Sequence, residues 1–159
     1  RRGGLPFEAV ICGAGPLEGR LKELAADLGL AGCTRWLGAV AHDRVAEAMG
    51  PMDVLVLPSR QIGAWKEQFG HVLIEAMAME IPVVGSRSGA IPEVIGRDDL
   101  VFEEGDAAGL VRILRRMATD ERWRLQAGID GYDRVRRHYT HARIAERLAG
   151  FWARRIEAA

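Results

Sequence analysis

This sequence predicts a Rossmann-like α/β fold: a doubly wound parallel sheet with helices on both faces. Three observations predict it. Short apolar runs alternate with helix-length amphipathic segments along the 159 residues, which is the order of successive βα units. The runs are apolar through their centres, Asp53-Val54-Leu55-Val56-Leu57 most clearly, as in strands covered on both faces. A loop follows each main run, at 13–16, 38–40, 58–70 and 86–93, and open parallel sheets bind ligands beyond the carboxyl ends of their strands.

Taken in order, Phe7–Cys12 is predicted as a buried strand, with Cys12 a small buried hydrophobe at its end. Leu17–Leu28 has helical apolar spacing and is ended by Gly29. Thr34–Leu37 is a second strand closed by Gly38, and Asp43–Met49 a short helix stopped by Gly50-Pro51. Asp53–Leu57 is a strand ended by Pro58. A helix over 71–79 follows, then a strand over Pro82–Gly85, a short helix over Ile91–Ile95 and a short strand over Leu100–Phe102. Ala107–Met117, Glu121–His138 and Ala142–Ile156 are predicted helices, the first two with Asp106 and Asp120 as N-caps. Phe151 and Trp152 fit either a core position or an exposed patch.

Size and charge narrow the function classes. A chain of this length holds one domain with a full core. It is 48% hydrophobic and 28% charged, with 22 basic residues against 22 acidic ones, so no overall field draws a polyanion such as nucleic acid. The arginines between Arg112 and Arg137 are interrupted by Asp120, Glu121, Asp130 and Asp133, the pattern of solvated helix faces with local ion pairs. The two cysteines form no metal or redox pattern and point to a reducing compartment. Arg1-Arg2-Gly3-Gly4 is not followed by the apolar run of a signal peptide, and no apolar stretch is long enough to span a membrane. His42, His138 and His141 lack ligand spacing, and His71 is expected to matter through its backbone rather than its ring, so no metal site is expected.

The chemistry concentrates in Glu67-Gln68-Phe69-Gly70-His71-Val72-Leu73-Ile74-Glu75. Val72–Met79 is apolar on every side except at Glu75. Such a helix is normally buried, and a buried carboxylate needs a partner. That partner is either an arginine from another helix or a ligand hydroxyl. Gly70 opens the helix, leaving the amides of His71 and Val72 free to attract an anion, phosphate above all. Glu67 is either a second hydroxyl-binding carboxylate or a solvated loop acid. Its placement in the loop, against Glu75 inside the helix, argues against an acid/base pair of the glycosidase kind. Gly13-Ala14-Gly15-Pro16 is a tight strand-to-helix turn that either lines a ligand or merely turns the chain. It is no dinucleotide fingerprint, because Glu18 stands where the third glycine belongs.

In sequence order, these motifs resemble the retaining glycosyltransferases of family 4. The resemblance runs from Gly13-Ala14-Gly15-Pro16-Leu17 and Trp36-Leu37-Gly38-Ala39-Val40 through Pro58-Ser59 and the segment Glu67–Ala78. It continues over Ile81-Pro82-Val83-Val84-Gly85-Ser86 and Ser88-Gly89-Ala90-Ile91-Pro92-Glu93-Val94-Ile95. It implies the C-terminal, nucleotide-sugar-binding domain of a two-domain GT-B enzyme, a single domain over 1–159. The N-terminal acceptor domain and the first strand–helix unit, with its diphosphate-clamping basic pair, would lie outside it.

By the same resemblance Glu75 accepts from the ribose hydroxyls. Glu67, the catalytic candidate, binds hydroxyls of the transferred sugar. Phe69, Gly70, His71 and Val72 line the sugar and diphosphate, Val40 meets the base, and Gly13 and Gly15 line the nucleotide pocket. The implied reaction transfers a hexose from a UDP- or GDP-sugar to a glycan or lipid. It needs no cofactor or metal, and the isolated domain is expected to be inactive. Alternatives are a GT-B nucleotide-sugar epimerase and a non-catalytic nucleotide-binding or assembly module. The implied setting is cytoplasmic, at the inner face of the cell membrane, with peripheral membrane contact by the complete enzyme. The loop Ser59–Lys66 is longer than in many relatives, and Arg60 and Lys66 supply positive charge there.

Overall fold

A computed structural model of the chain describes residues 4–157. Arg1–Gly3, part of the stretch read as lacking a leader, lie outside the described residues. The chain divides into two compact units, one up to Ala48 and one from Met49.

The first unit pairs β1 (Ala9–Cys12) in parallel with β2 (Thr34–Gly38), joined through α1 (Glu18–Asp27) and a turn at Ala31–Cys33. A second short turn, His42–Arg44, leads into α2 (Val45–Met49). The strand begins at Ala9 rather than Phe7, which is exposed, and Cys12 is exposed rather than buried. No described residue up to Ala48 is buried. The apolar stripe Leu17, Leu21, Leu24 and Leu28 therefore also stands open. The physical reason is size: two strands and one full-length helix enclose too little volume to exclude water.

The second unit is where the core lies. Its parallel sheet has the order β3 (Leu55–Leu57), β4 (Val83–Ser86), β5 (Val101–Phe102). The helices are α3 (His71–Ala78), α4 (Ile91–Ile95), α5 (Ala107–Thr119), α6 (Glu121–His138) and α7 (His141–Glu157). β4 is the central strand and all four of its residues are buried, as continuous apolar patterning requires of a strand flanked by helices. Leu73, Ala76 and Met77 of α3 and Ile91, Val94 and Ile95 of α4 complete the core with Val83 and Val84.

Helix α6 reaches this core through two glycines. A Cβ on Gly128 would collide with the Glu80 carbonyl, and one on Gly131 would stand 2.9 Å from Met77 Cγ. Asp106 and Asp120 cap α5 and α6 as expected, accepting from Gly109 N–H at 2.9 Å and Trp123 N–H at 3.0 Å. The ion pairs Arg112–Asp106, Arg116–Asp120 and Arg137–Asp133 lie on exposed faces. Phe151 and Trp152 are exposed on α7, so they are no part of this unit's core. Among the described residues no helix is long and apolar enough to cross a membrane.

Candidate functional site

In the second unit the site is built where β3 and β4 end. Pro58 stops β3, and the chain runs through a loop to Gly70, whose φ of +74° starts α3 from a left-handed turn. Only glycine adopts that turn without strain. Glycine has no side chain to cap the helix, and Glu67 takes over the task. Its Oε1 accepts from Gly70 N–H at 3.1 Å and, more loosely, from Phe69 N–H at 3.5 Å. Its Oε2 accepts from Ser59 Oγ at 3.3 Å. The Glu67 carbonyl accepts from Ala90 N–H at 3.1 Å, and Ser86 Oγ donates to the Ser59 carbonyl. Glu67 is thus half-buried and anchored, not a solvated loop acid. A carboxylate has about four lone-pair sites, so three donors leave room for a further one.

Next to Glu67 lie the open amides. Leu73 N–H bonds to the Gly70 carbonyl at 2.9 Å, while His71 and Val72 N–H have no partner among the described residues. The partial positive charge of the helix start is concentrated there. Phe69 is held by aromatic contacts, its ring centroid 4.9 Å from that of His71 and 5.6 Å from that of Tyr139.

Glu75 lies a full turn further along the same helix and is half-buried. Among the described residues it takes part in no ion pair and no hydrogen bond closes on its side chain. The arginine partner considered from sequence is not there. Helix α3 is buried along Leu73, Ala76 and Met77 but open at Ala78 and Met79. It is therefore buried on one face rather than all round, and Glu75 sits where that face meets solvent.

The first unit carries the other candidates. Gly13, Gly15 and Val40 occupy the loops after β1 and β2. Gly13 N–H donates to the Gly38 carbonyl at 2.7 Å, so the two loops meet at the carboxyl ends of the paired strands. Gly15 accepts from Glu18 N–H at 3.1 Å as α1 begins.

Charge around the second-unit loops is balanced locally. Glu104 Oε2 accepts from Gln61 N–H at 2.9 Å. The Ser88 hydroxyl beside it, the Gln61 amide and Arg60 together hold its carboxyl below the usual range. Ser88 Oγ is buried and close to Glu104 yet outside hydrogen-bond geometry. Arg87 pairs with Asp98 at 2.9 Å and Glu103 at 2.6 Å, which raises its pKa. Among the described residues no three His, Cys, Asp or Glu side chains gather as metal ligands would.

Sequence reasoning missed Ser59, Gly89, Glu104 and Tyr139. Ser59 enters the sequence reading only within the Pro58-Ser59 motif and the 59–66 loop, and its position directly after the proline at the strand end is the usable signal. Tyr139 carries no local motif, and only the fold brings it to Phe69.

The sequence profile of the family Glycosyl transferases group 1 matches residues 4–134. The chain is similar to the amylovoran biosynthesis glycosyltransferase AmsK of Erwinia amylovora. The two are 35% identical over 118 residues, which cover 72% of this chain and 29% of that protein. Among solved structures it is similar to the C-terminal domain of a group 1 glycosyl transferase (LpcC) from Francisella tularensis. That likeness has a TM-score of 0.73 at 26% identity and covers 84% of this chain and 70% of that one. It also shares its fold with Anabaena Alr3699/HepE, solved in complex with UDP, at a TM-score of 0.77 and 21% identity, over 92% of this chain and 41% of that one. Parallel strands flanked by helices, with glycosyltransferases among the structural neighbours, give the chain a Rossmann-like α/β fold. The chain belongs to the group 1 glycosyl transferases. It spans between about a fifth and two fifths of the length of the curated relatives it matches.

Proposed function

We propose that this chain is the donor-binding part of a retaining glycosyltransferase of family 4, which moves a hexose from a UDP- or GDP-sugar to a glycan or lipid. The observation that carries the reading is the half-buried Glu75 carboxylate, which has no polar partner among the described residues and shares a helix with two open amides. A carboxylate in that state gains most from a pair of hydroxyls, and a ribose supplies them. A diphosphate would take the amides of His71 and Val72, where the helix dipole favours negative charge. The HepE complex with UDP adds support from a protein of the same fold.

The chemistry follows from what these groups do. As the bond from sugar to diphosphate lengthens, negative charge grows on the leaving oxygens and the fixed amides stabilise it without reorganising. Glu67, already oriented by Ser59 and the Gly70 amide, spends its remaining acceptor capacity on a hydroxyl of the transferred sugar. No side chain at the site is placed as a nucleophile. The leaving phosphate therefore takes the acceptor's proton on the face it departs from, which retains configuration. In this reading the reaction uses no metal, and the chain alone does not turn over.

Titration calorimetry of this chain with UDP-glucose and GDP-mannose tests the proposal. One of the two should bind, and Glu75→Ala should weaken it by about ten- to a hundredfold, the loss of a hydrogen bond to a charged group. Equal affinity in both proteins would remove the reading's main support.

A further inference from the structure

Helix α3 leaves the preceding loop at a swivel. Gly70 sits at a φ of +74°, and glycine tolerates a wide range of dihedrals around that value. The open amides of His71 and Val72 belong to the helix, and the Glu67 carboxylate belongs to the loop. The angle at Gly70 therefore sets where the two groups stand relative to each other. Glycine does not fix that angle by itself, so packing must.

Helix α6 holds both sides of the swivel. On the helix side, α6 lies against α3, with Gly131 facing Met77 so closely that an added Cβ would stand 2.9 Å from Met77 Cγ. On the loop side, Tyr139, the residue that ends α6, meets Phe69 edge to face, the ring centroids 5.6 Å apart and the planes at 79°. Phe69 in turn touches His71 across Gly70, at 4.9 Å and 60°. Tyr139 is itself held. Its N–H donates to the Val135 carbonyl at 2.9 Å, and the Arg134 guanidinium lies 5.9 Å over its ring, within cation–π range. Arg134 is fixed by donating to the carbonyls of Glu93 and Val94, at 2.5 and 2.9 Å. The Tyr139 hydroxyl lies 3.5 Å from the Glu93 carbonyl, at the long limit for a hydrogen bond. The ring, not the hydroxyl, carries the contact.

The geometry points to Tyr139 as a positioning residue for the donor site. Through Phe69 it fixes the angle at Gly70, and so the spacing between the amides that take the diphosphate and the Glu67 carboxylate that takes the sugar. This inference rests on the donor-site reading above, and its test separates the two.

A residue that sets a spacing matters most to a ligand that spans it. UDP and GDP engage the amides but not Glu67, whereas UDP-glucose and GDP-mannose engage both. Calorimetry on this chain compares each diphosphate with its nucleotide sugar in wild type, Tyr139→Leu and Tyr139→Phe. In Tyr139→Leu the affinity for the nucleotide sugar should fall about two- to tenfold relative to that for the parent diphosphate, the worth of an aromatic pair. Tyr139→Phe keeps the ring and should restore the wild-type ratio. A mere loss of folded protein weakens both ligands alike and leaves the ratio unchanged. NMR of the free chain gives a second readout. Tyr139→Leu should shift the Phe69, Gly70 and His71 amides and the His71 ring protons, and Tyr139→Phe should shift them far less. An unchanged ratio or unmoved His71 signals in Tyr139→Leu, or a ratio that Tyr139→Phe fails to restore, overturns the positioning role while the donor site stands. If neither diphosphate nor nucleotide sugar binds the wild-type chain, the donor reading fails and takes this inference with it.

Discussion

Gly89 lies against the backbone of Glu67 so closely that a Cβ on it would overlap the Glu67 carbonyl oxygen and stand 3.1 Å from the Glu67 nitrogen. The turn after β4 therefore clamps the loop that follows β3, and the adjoining Ala90 amide bonds the same carbonyl. Gly89 also has a φ of +53°.

Gly89→Ala should accordingly destabilise the chain by at least about 1–3 kcal/mol, from left-handed strain alone, with the collision added. Because the collision is with main chain, relaxation must move Glu67. Urea unfolding measures the loss. Amide shifts confined to residues 67–70 and 88–90 would show its location, and an unperturbed Glu67 amide would contradict the clamp.

Glu67 has a structural task besides any chemical one. Removing its carboxylate in Glu67→Ala leaves the Gly70 amide uncapped and should cost about 1–2 kcal/mol of stability, as N-cap losses do. Glu67→Gln keeps an acceptor oxygen and should cost less than half of that. Thermal unfolding of the two variants side by side is the measurement. A loss of transfer in Glu67→Ala alone is thus no proof of a catalytic role. The Gln variant is the informative one.

How far the sequence could be read depended on the range of the interactions involved. The alternation of apolar runs, the caps at Asp106 and Asp120 and the glycine start of α3 are local, and the structure reproduces them. The burial of Cys12 is inferred from pattern alone. It fails because burial depends on how many elements pack together, and only two strands pair in that unit. The engagement of Glu67 by Ser59 and the pressing of Gly89 against it depend on loop paths. Periodicity carries no information about those. Glu75 was legible because a charge inside an apolar helix is anomalous in the sequence itself.

The carboxyl of Asp99 is held below its ordinary range, first by the hydrogen bonds from Arg97 at 2.7 and 3.0 Å and next by its charge, with Trp123 Nε1–H adding a bond at 3.1 Å. A depressed folded pKa means stability that is present above the unfolded value of about 3.9. That stability is lost as pH falls through the folded value. Asp99→Asn should therefore lower the Tm at neutral pH by a small amount, since the pair is partly exposed. The difference between wild type and variant should shrink as pH drops below the unfolded carboxylate value. A gap that widens in acid would reverse the sign of this argument.

Glu75 should behave opposite to Glu67. Among the described residues its side chain makes no hydrogen bond and no ion pair, so Glu75→Ala takes away no polar contact. It replaces a half-buried, unpaired carboxylate with the best helix former. Stability should stay within about 0.5 kcal/mol of wild type or rise, while nucleotide-sugar affinity falls by about 1.5–3 kcal/mol. Denaturant unfolding and calorimetry on the same two proteins give both numbers. A residue kept at no benefit to the fold but at large benefit to binding belongs to the ligand. If Glu75→Ala instead costs more than about 2 kcal/mol of stability, its carboxylate has an internal partner and the donor site loses its centre.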